Sequence, residues 1–154
     1  MLLYLDASAL VKRYLSEPGT PETNQAVAEA AAIATTIVSR PEVAAALAKA
    51  VRVGAADRAE TRSLLEAFRS DWSDMFRLNV NSTLAARAER LAWKENLRGY
   101  DAVQLASALV WKEHIAGGVT FATFDVALWE VAERHALGPF PEDLPNVFGR
   151  LTQR

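Results

Sequence analysis

Four short apolar segments, separated from one another by helical stretches, constrain the fold of this 154-residue chain more than any other feature. They are predicted to be strands because they are rich in branched and aromatic residues and are bounded by polar or turn-forming positions. Few hairpin turn signals connect them, which favours a parallel sheet with helices on both faces. The predicted strands cover residues 2–6, 33–38, 76–80 and 119–124.

Helical periodicity and capping residues account for most of the remaining chain. The predicted helices cover residues 8–15, 22–32, 39–53, 57–75, 82 to at least 92, 101–114 and 125–135. Residues 138–154 contain several prolines and are predicted to form an extended tail. We find no internal repeat, low-complexity tract or long linker, so the sequence predicts one α/β domain over residues 1–154.

Composition excludes several classes of protein. The absence of cysteine rules out disulfides, thiolate metal sites and cysteine nucleophiles, and it suits a reducing cytosol. The N-terminus reaches Asp6 without a basic region, and no apolar run is long enough to span a membrane, so we expect a cytoplasmic protein. The net charge of −2 argues mildly against nucleic-acid binding, although the acidic metal ligands of a nuclease contribute to such a charge.

Four acidic residues stand at the starts of predicted helices: Asp6, Glu42, Asp101 and Asp125. Each has a purely structural interpretation. Glu42 lies three residues after Ser39, as in a capping box, and Asp101 and Asp125 suit helix N-caps. Asp6 suits the end of a strand. Taken singly, these interpretations are more probable than a functional one.

The predicted topology favours a shared role for the four acids. Asp6, Glu42 and Asp125 follow predicted strands, and the carboxyl ends of parallel strands lie at one edge of a sheet, where α/β proteins bind ligands. Asp101 has no strand immediately before it. Neighbouring carboxylates repel one another, and a divalent cation relieves that repulsion. Oxygen-only ligands favour Mg²⁺ or Mn²⁺.

The segments around these acids resemble, in order, the four acidic motifs of the PIN-domain ribonucleases, specifically the VapC-type toxins of toxin–antitoxin pairs. The matching segments are residues 3–12, 37–47, 99–106 and 121–128. Each motif alone is weak, but the ordered set covers residues 3–128 and is specific. The tail from residue 138 is longer than the terminal strand of that family, and nothing is transferred to it.

The resemblance implies a PIN-like fold, with a mostly parallel sheet of four to five strands flanked by helices. It also implies hydrolysis of single-stranded RNA with Mg²⁺ or Mn²⁺. Asp6 and Asp101 are then direct metal ligands, and Asp125 binds the metal directly or through water. Glu42 orients the attacking water or accepts its proton. These roles suit phosphodiester cleavage, which needs an activated water and stabilisation of charge on the phosphate.

Polar residues near the motifs are candidates for supporting roles. Ser8 and Thr123 lie two residues from acids and are predicted either to hold those carboxylates by hydrogen bonds or simply to begin a helix and end a strand. The basic residues near the motifs are weak candidates for RNA phosphate contacts, because any one of them also suits a solvated helix face. They are Lys12, Arg13, Arg40 and Arg98. The four tryptophans all fall on predicted helices and are interpreted as core or interface residues.

The resemblance further implies two protein partners. One is a second copy of the chain, for which the apolar faces of helices 41–53 and 57–75 are candidate contacts. The other is an antitoxin whose extended segment enters the acidic cleft, where an arginine pairs with Asp6, Asp101 or Asp125.

Three alternatives remain open at this stage. A phosphatase of the aspartyl-phosphate type normally requires Asp-x-Asp after the first strand, and Ser8 occupies the second position. A catalytically inactive RNA- or protein-binding module is compatible with the same fold. A capping role for every acid predicts carboxylates too far apart to share one ion.

Overall fold

The computed structural model describes residues 1–115 and 117–144. Within them, five parallel strands form one sheet in the order β3-β2-β1-β4-β5. The strands are β1 (Leu2–Leu5), β2 (Ala32–Thr36), β3 (Phe76–Leu78), β4 (Val119–Ala122) and β5 (Gly138–Phe140). This topology confirms the predicted parallel α/β architecture, and the five strands agree with the four to five that the family resemblance implies.

Helices connect the strands. They are α1 (Ala7–Val11), α2 (Thr20–Glu29), α3 (Ser39–Arg52), α4 (Arg58–Asp71), α5 (Ser82–Glu95), α6 (Gly99–His114) and α7 (Val126–Arg134). Several predicted boundaries are wrong by two or more residues, and three of them concern the ends of helices near the site or on the apolar face. The first helix ends at Val11, the helix predicted to reach residue 75 changes to a 3-10 turn at Trp72–Asp74, and α6 begins two residues before Asp101.

Strand β5 was not predicted as a strand because it lies in the proline-containing tail. It pairs with β4 only, at the edge of the sheet, with Phe121 opposite Pro139. Proline is tolerated in an edge strand because its missing N–H need not face a neighbouring strand. Residues 145–154 of the predicted tail lie outside the described residues.

The central strand β1 is buried on both faces, which explains its continuous apolar sequence. Tyr4 points to one face, where its ring stacks on Phe121 at 5.4 Å within a core formed with α5, α6 and α7. Leu3 and Leu5 point to the other face and pack with residues of α1, α3 and α4. Helices on both faces therefore hold β1 rigidly, and Asp6 follows directly at its carboxyl end.

The tryptophans differ in their surroundings. Trp72, Trp111 and Trp129 are buried, whereas Trp93 on α5 is 91% exposed. Of the two predicted roles, core or interface, the core role is therefore wrong for Trp93, and the interface role stays a prediction. In the described part of the chain, no helix combines the length and apolarity needed to cross a membrane.

Candidate active site

Asp6 is the most buried of the four acids, with 4% of its surface exposed. It caps α1, and its Oδ1 accepts hydrogen bonds from the Ala9 amide at 2.8 Å and the Ser8 hydroxyl at 2.7 Å. Its Oδ2 accepts one from the Thr123 hydroxyl at 2.8 Å. Burial nevertheless dominates and raises the pKa of Asp6 to about 6, with a smaller contribution from the charge of Glu42.

Ser8 and Thr123 join the carboxyl ends of β1 and β4. Besides donating to Asp6, the Ser8 hydroxyl accepts the Phe124 amide at 2.8 Å, and the Thr123 hydroxyl accepts the Asp125 amide at 3.1 Å. Thr123 donates to Asp6 rather than to the nearer acid in sequence. These contacts fix the Asp6 carboxylate against the loop that carries Asp125.

Glu42 does not belong to a capping box. Ser39 is the first residue of α3 rather than its N-cap, which is Val38, and the Ser39 hydroxyl lies 2.7 Å from the Thr35 hydroxyl. Glu42 Oε2 instead accepts a hydrogen bond from Gln104 Nε2 at 2.9 Å. Burial raises the pKa of Glu42, and the charge of Asp101 adds to the effect. The capping-box interpretation of Glu42 is therefore wrong.

Gln104 connects α3 and α6 through a buried polar chain that the sequence did not predict. Its Oε1 accepts the Tyr4 hydroxyl at 3.0 Å, and its Nε2 donates to Ser39 Oγ at 3.0 Å as well as to Glu42. Gln104 lies three residues after Asp101, about one helical turn. Its anchorage therefore holds the start of α6, and with it Asp101, next to Glu42.

Arg98 holds the remaining two acids. Its Nε donates to Asp101 Oδ2 at 2.8 Å, and its Nη2 donates to Asp125 Oδ2 at 2.7 Å. Asp101 is the third residue of α6, whose N-cap is Arg98, so the predicted N-cap role of Asp101 is wrong. Asp125 does cap α7, because its Oδ1 accepts the Leu128 amide at 2.9 Å.

We call Asp6, Glu42, Asp101 and Asp125 together the acidic edge. Arg98 bridges Asp101 and Asp125, and Glu42 interacts electrostatically with both Asp6 and Asp101. Across residues 1–115 and 117–144, no group of three or more acidic or histidine side chains is arranged to hold one metal ion. The predicted ligands Asp6, Asp101 and Asp125 are therefore not assembled as one set in this conformation.

The chemistry of the acidic edge nevertheless fits a divalent cation. The metal-binding atoms that its four acids offer are carboxylate oxygens, the ligands that Mg²⁺ and Mn²⁺ prefer. Two of those carboxylates already bind a cation, the guanidinium of Arg98. Asp6 and Glu42 have no ion pair with a basic side chain of the described residues. The site therefore holds more negative charge than this part of the chain balances.

The other predicted phosphate-binding residues are less available than expected. Lys12 is buried, with its ammonium 3.1 Å from Glu17 and 4.5 Å from the centre of the Phe124 ring, so a solvated helix face is the wrong interpretation. Arg13 pairs with Asp71 at 3.0 Å. The Arg40 guanidinium lies over the Trp72 ring at 5.9 Å and has no ion pair within the described residues.

A groove of about 520 Å³ opens beside the acidic edge, between α1 and α3. Ser8 and Glu42 lie in its wall together with Lys12 and Lys49. A larger cavity of about 880 Å³ between α5 and α6 contains none of the four acids. Of the four acids, Glu42 alone lines the groove between α1 and α3.

Comparison with known proteins identifies the family. The family model described as PIN domain matches residues 3–134. The chain is also 37% identical, over 112 residues, to two proteins of Mycobacterium tuberculosis named Ribonuclease VapC45 and Ribonuclease VapC49. Each match covers 70% of this chain and 75% of the relative. The chain therefore belongs to the PIN domain family and resembles its VapC-type members.

Proposed function

We propose that this chain is a ribonuclease that uses Mg²⁺ or Mn²⁺ to cleave single-stranded RNA at the acidic edge. The observation that carries the proposal is the unbalanced charge of Asp6 and Glu42, which lie at the carboxyl edge of a parallel sheet and have raised pKa values. Ionisable groups perturbed in this way concentrate at functional sites. The names of the two relatives support the choice of RNA as substrate.

The residues of the acidic edge and their hydrogen-bond partners have different roles in the proposed phosphodiester hydrolysis. Asp6, Asp101 and Asp125 hold the cation, and Ser8 and Thr123 fix the Asp6 carboxylate by hydrogen bonds. When bound, the cation stabilises charge on the phosphate and makes water a better nucleophile at neutral pH.

Glu42 is placed to take the proton of the attacking water. It is partly exposed to the groove, and its raised pKa makes it a better proton acceptor than an ordinary carboxylate. Gln104 holds one of its oxygens, which leaves the other free to contact water. Gln104 is therefore a positioning residue for Glu42.

An assay with a labelled single-stranded RNA tests the proposed activity. The purified chain is expected to cleave the RNA in Mn²⁺ or Mg²⁺ and to lose that activity in excess EDTA. Equal cleavage in EDTA contradicts metal dependence. RNA binding without cleavage under every metal condition favours the alternative, a catalytically inactive binding module.

We further propose that the chain is the toxin of a toxin–antitoxin pair, which the VapC names of its relatives support. A cationic side chain of the antitoxin then enters the acidic edge and pairs with its carboxylates. Raising the Mn²⁺ concentration is expected to weaken binding of a peptide from the partner. An affinity that is constant across a wide range of Mn²⁺ contradicts competition for the same oxygens.

We also propose a homodimer formed through the faces of α3 and α4 that line a shared groove, because none of the four acids lies in that groove. This groove has a volume of about 580 Å³, and its wall combines apolar residues such as Ala44, Val51 and Leu65 with Thr61 and three arginines. A second copy of the chain is the occupant that the family resemblance suggests. Sedimentation equilibrium is expected to give a dimer, and a monomer at high protein concentration contradicts the proposal.

A further inference from the structure

Arg98 is the one basic side chain of the described residues that forms ion pairs within the acidic edge. It links two separate elements, because Asp101 lies in α6 and Asp125 caps α7. Its own backbone is fixed as the N-cap residue of α6, while its side chain is 76% exposed. The guanidinium is therefore tethered beside the acids but is free to move into solvent.

Arg98 occupies one oxygen of each of two carboxylates that are proposed to bind the metal ion. Asp125 Oδ1 is already committed to the Leu128 amide, so Oδ2 is the oxygen without a backbone partner, and Arg98 binds it. Arg98 also binds Asp101 Oδ2. A divalent cation and a guanidinium cannot both lie against the same two oxygens, because they repel each other and occupy the same space.

We propose that Arg98 is an internal counter-cation that competes with the divalent metal for Asp101 and Asp125. It neutralises and orients the two carboxylates before the metal binds, and it leaves them when the metal enters. Exposed ion pairs are weak, so this exchange costs little and the metal still binds. The inference rests on the proposed function, because it assumes that the acidic edge binds a divalent cation.

Calorimetric titration with Mn²⁺, in the absence of RNA, measures this competition. The test variant is Arg98→Gln, which removes the charge. A second variant, Arg98→Lys, retains the charge but loses the planar guanidinium that contacts both carboxylates. The matched control is Arg134→Gln, which removes the same charge from an exposed arginine whose partner, Glu95, lies outside the acidic edge. Thermal melts in EDTA establish that each variant is folded.

We expect Arg98→Gln to bind Mn²⁺ roughly three- to tenfold more tightly than the wild type, the effect of losing a weak exposed competitor. The Mn²⁺ affinity of Arg98→Lys is expected to lie between those of the wild type and Arg98→Gln. The affinity of Arg134→Gln is expected to equal that of the wild type. This increase in affinity is opposite to the effect of losing a residue that supports the metal site.

Three results overturn the inference. Unchanged or weaker binding by Arg98→Gln shows that Arg98 does not compete with the metal. Equal tightening in Arg98→Gln and Arg134→Gln attributes the effect to net charge. If neither the wild type nor any variant binds Mn²⁺, this inference and the proposed metal dependence fail together, whereas wild-type binding without tightening overturns this inference alone.

Discussion

Two groups of carboxylates in this molecule have opposite electrostatic surroundings. Glu95, at the end of α5, accepts a hydrogen bond from Arg134 Nη2 at 3.0 Å and lies 3.0 Å from His135 Nε2. These contacts lower its pKa to about 2. Asp6 and Glu42 have no such cation within the described residues, and burial raises the pKa of both, that of Asp6 to about 6.

We interpret this difference in pKa as the difference between a structural role for the Glu95 group and the proposed functional role of the acidic edge. The Glu95 group ties the end of α5 to the end of α7, and its charges balance within the chain. In the acidic edge, by contrast, Asp6 and Glu42 form no ion pair with a basic side chain of the described residues. Raised carboxylate pKa values at the ligand-binding edge of a sheet are the expected property of a site completed by a cation.

The largest expected effect is on RNA cleavage. Asp6→Asn and Asp101→Asn preserve side-chain size but remove a charge from the acidic edge, so each is expected to abolish most of the activity. Glu95→Gln is the matched control, because it makes the same chemical change in the structural group. It is expected to cleave at the wild-type rate. Steady-state cleavage of one RNA by all four proteins measures the comparison.

Two results would contradict this prediction. Near-wild-type cleavage by Asp6→Asn or Asp101→Asn removes that residue from the site. A loss in Glu95→Gln as large as in the other two shows that the comparison between the groups is wrong.

Glu42→Gln is expected to have a smaller effect, a loss of about a hundredfold in kcat, which is typical of removing a general base. The free energy of unfolding is expected to stay the same or increase slightly, because a neutral amide avoids the burial of charge. The amide oxygen still accepts the hydrogen bond from Gln104. Cleavage assays and urea denaturation measure the two quantities. A lower stability with unchanged cleavage shows that Glu42 is structural.

The smallest expected effect is on the pH dependence of stability, where the two groups have opposite signs. Glu95 has a lowered pKa, so its stabilising contribution is present above its ordinary pKa near 4.5 and is lost as the pH falls towards 2. Asp6 has a raised pKa, so its ionisation destabilises the fold. The destabilisation by ionised Asp6 is absent below about pH 3.8 and complete above about pH 6.

Differences in unfolding free energy between the wild type and each variant isolate these contributions. Relative to Glu95→Gln, the wild type is expected to lose an advantage of up to about 1 kcal/mol as the pH falls below 4.5. Relative to Asp6→Asn, it is expected to gain stability as the pH falls from 6 to 4. Shifts in the same direction for both pairs contradict the electrostatic difference.

Much of the fold was predictable because it depends on local sequence. Short apolar runs located β1, β2 and β4, alternation located β3, and helical periodicity located most helices. The order of the acidic segments indicated the family. Strand β5 was not recognised because Pro139 is unfavourable in a central strand, and only the tertiary arrangement places it at an edge.

The connections within the site depend on contacts between distant residues and were not predictable. The Ser39 hydroxyl suited a cap locally, but Thr35 and Gln104 compete for it in the folded chain. Gln104 reaches Glu42 across 62 residues, and Arg98 reaches Asp125 across 27. The one sequence signal for these connections is the position of Gln104 about one helical turn after Asp101, which indicates that the two side chains lie on the same face of α6.

Binding of a divalent cation by the acidic edge is the central claim, and calorimetric titration of the wild-type chain with Mn²⁺ tests it most directly. We predict saturable binding that is lost in Asp6→Asn and Asp101→Asn and retained in Glu95→Gln. The absence of Mn²⁺ and Mg²⁺ binding up to millimolar concentrations, with or without RNA, would contradict the account.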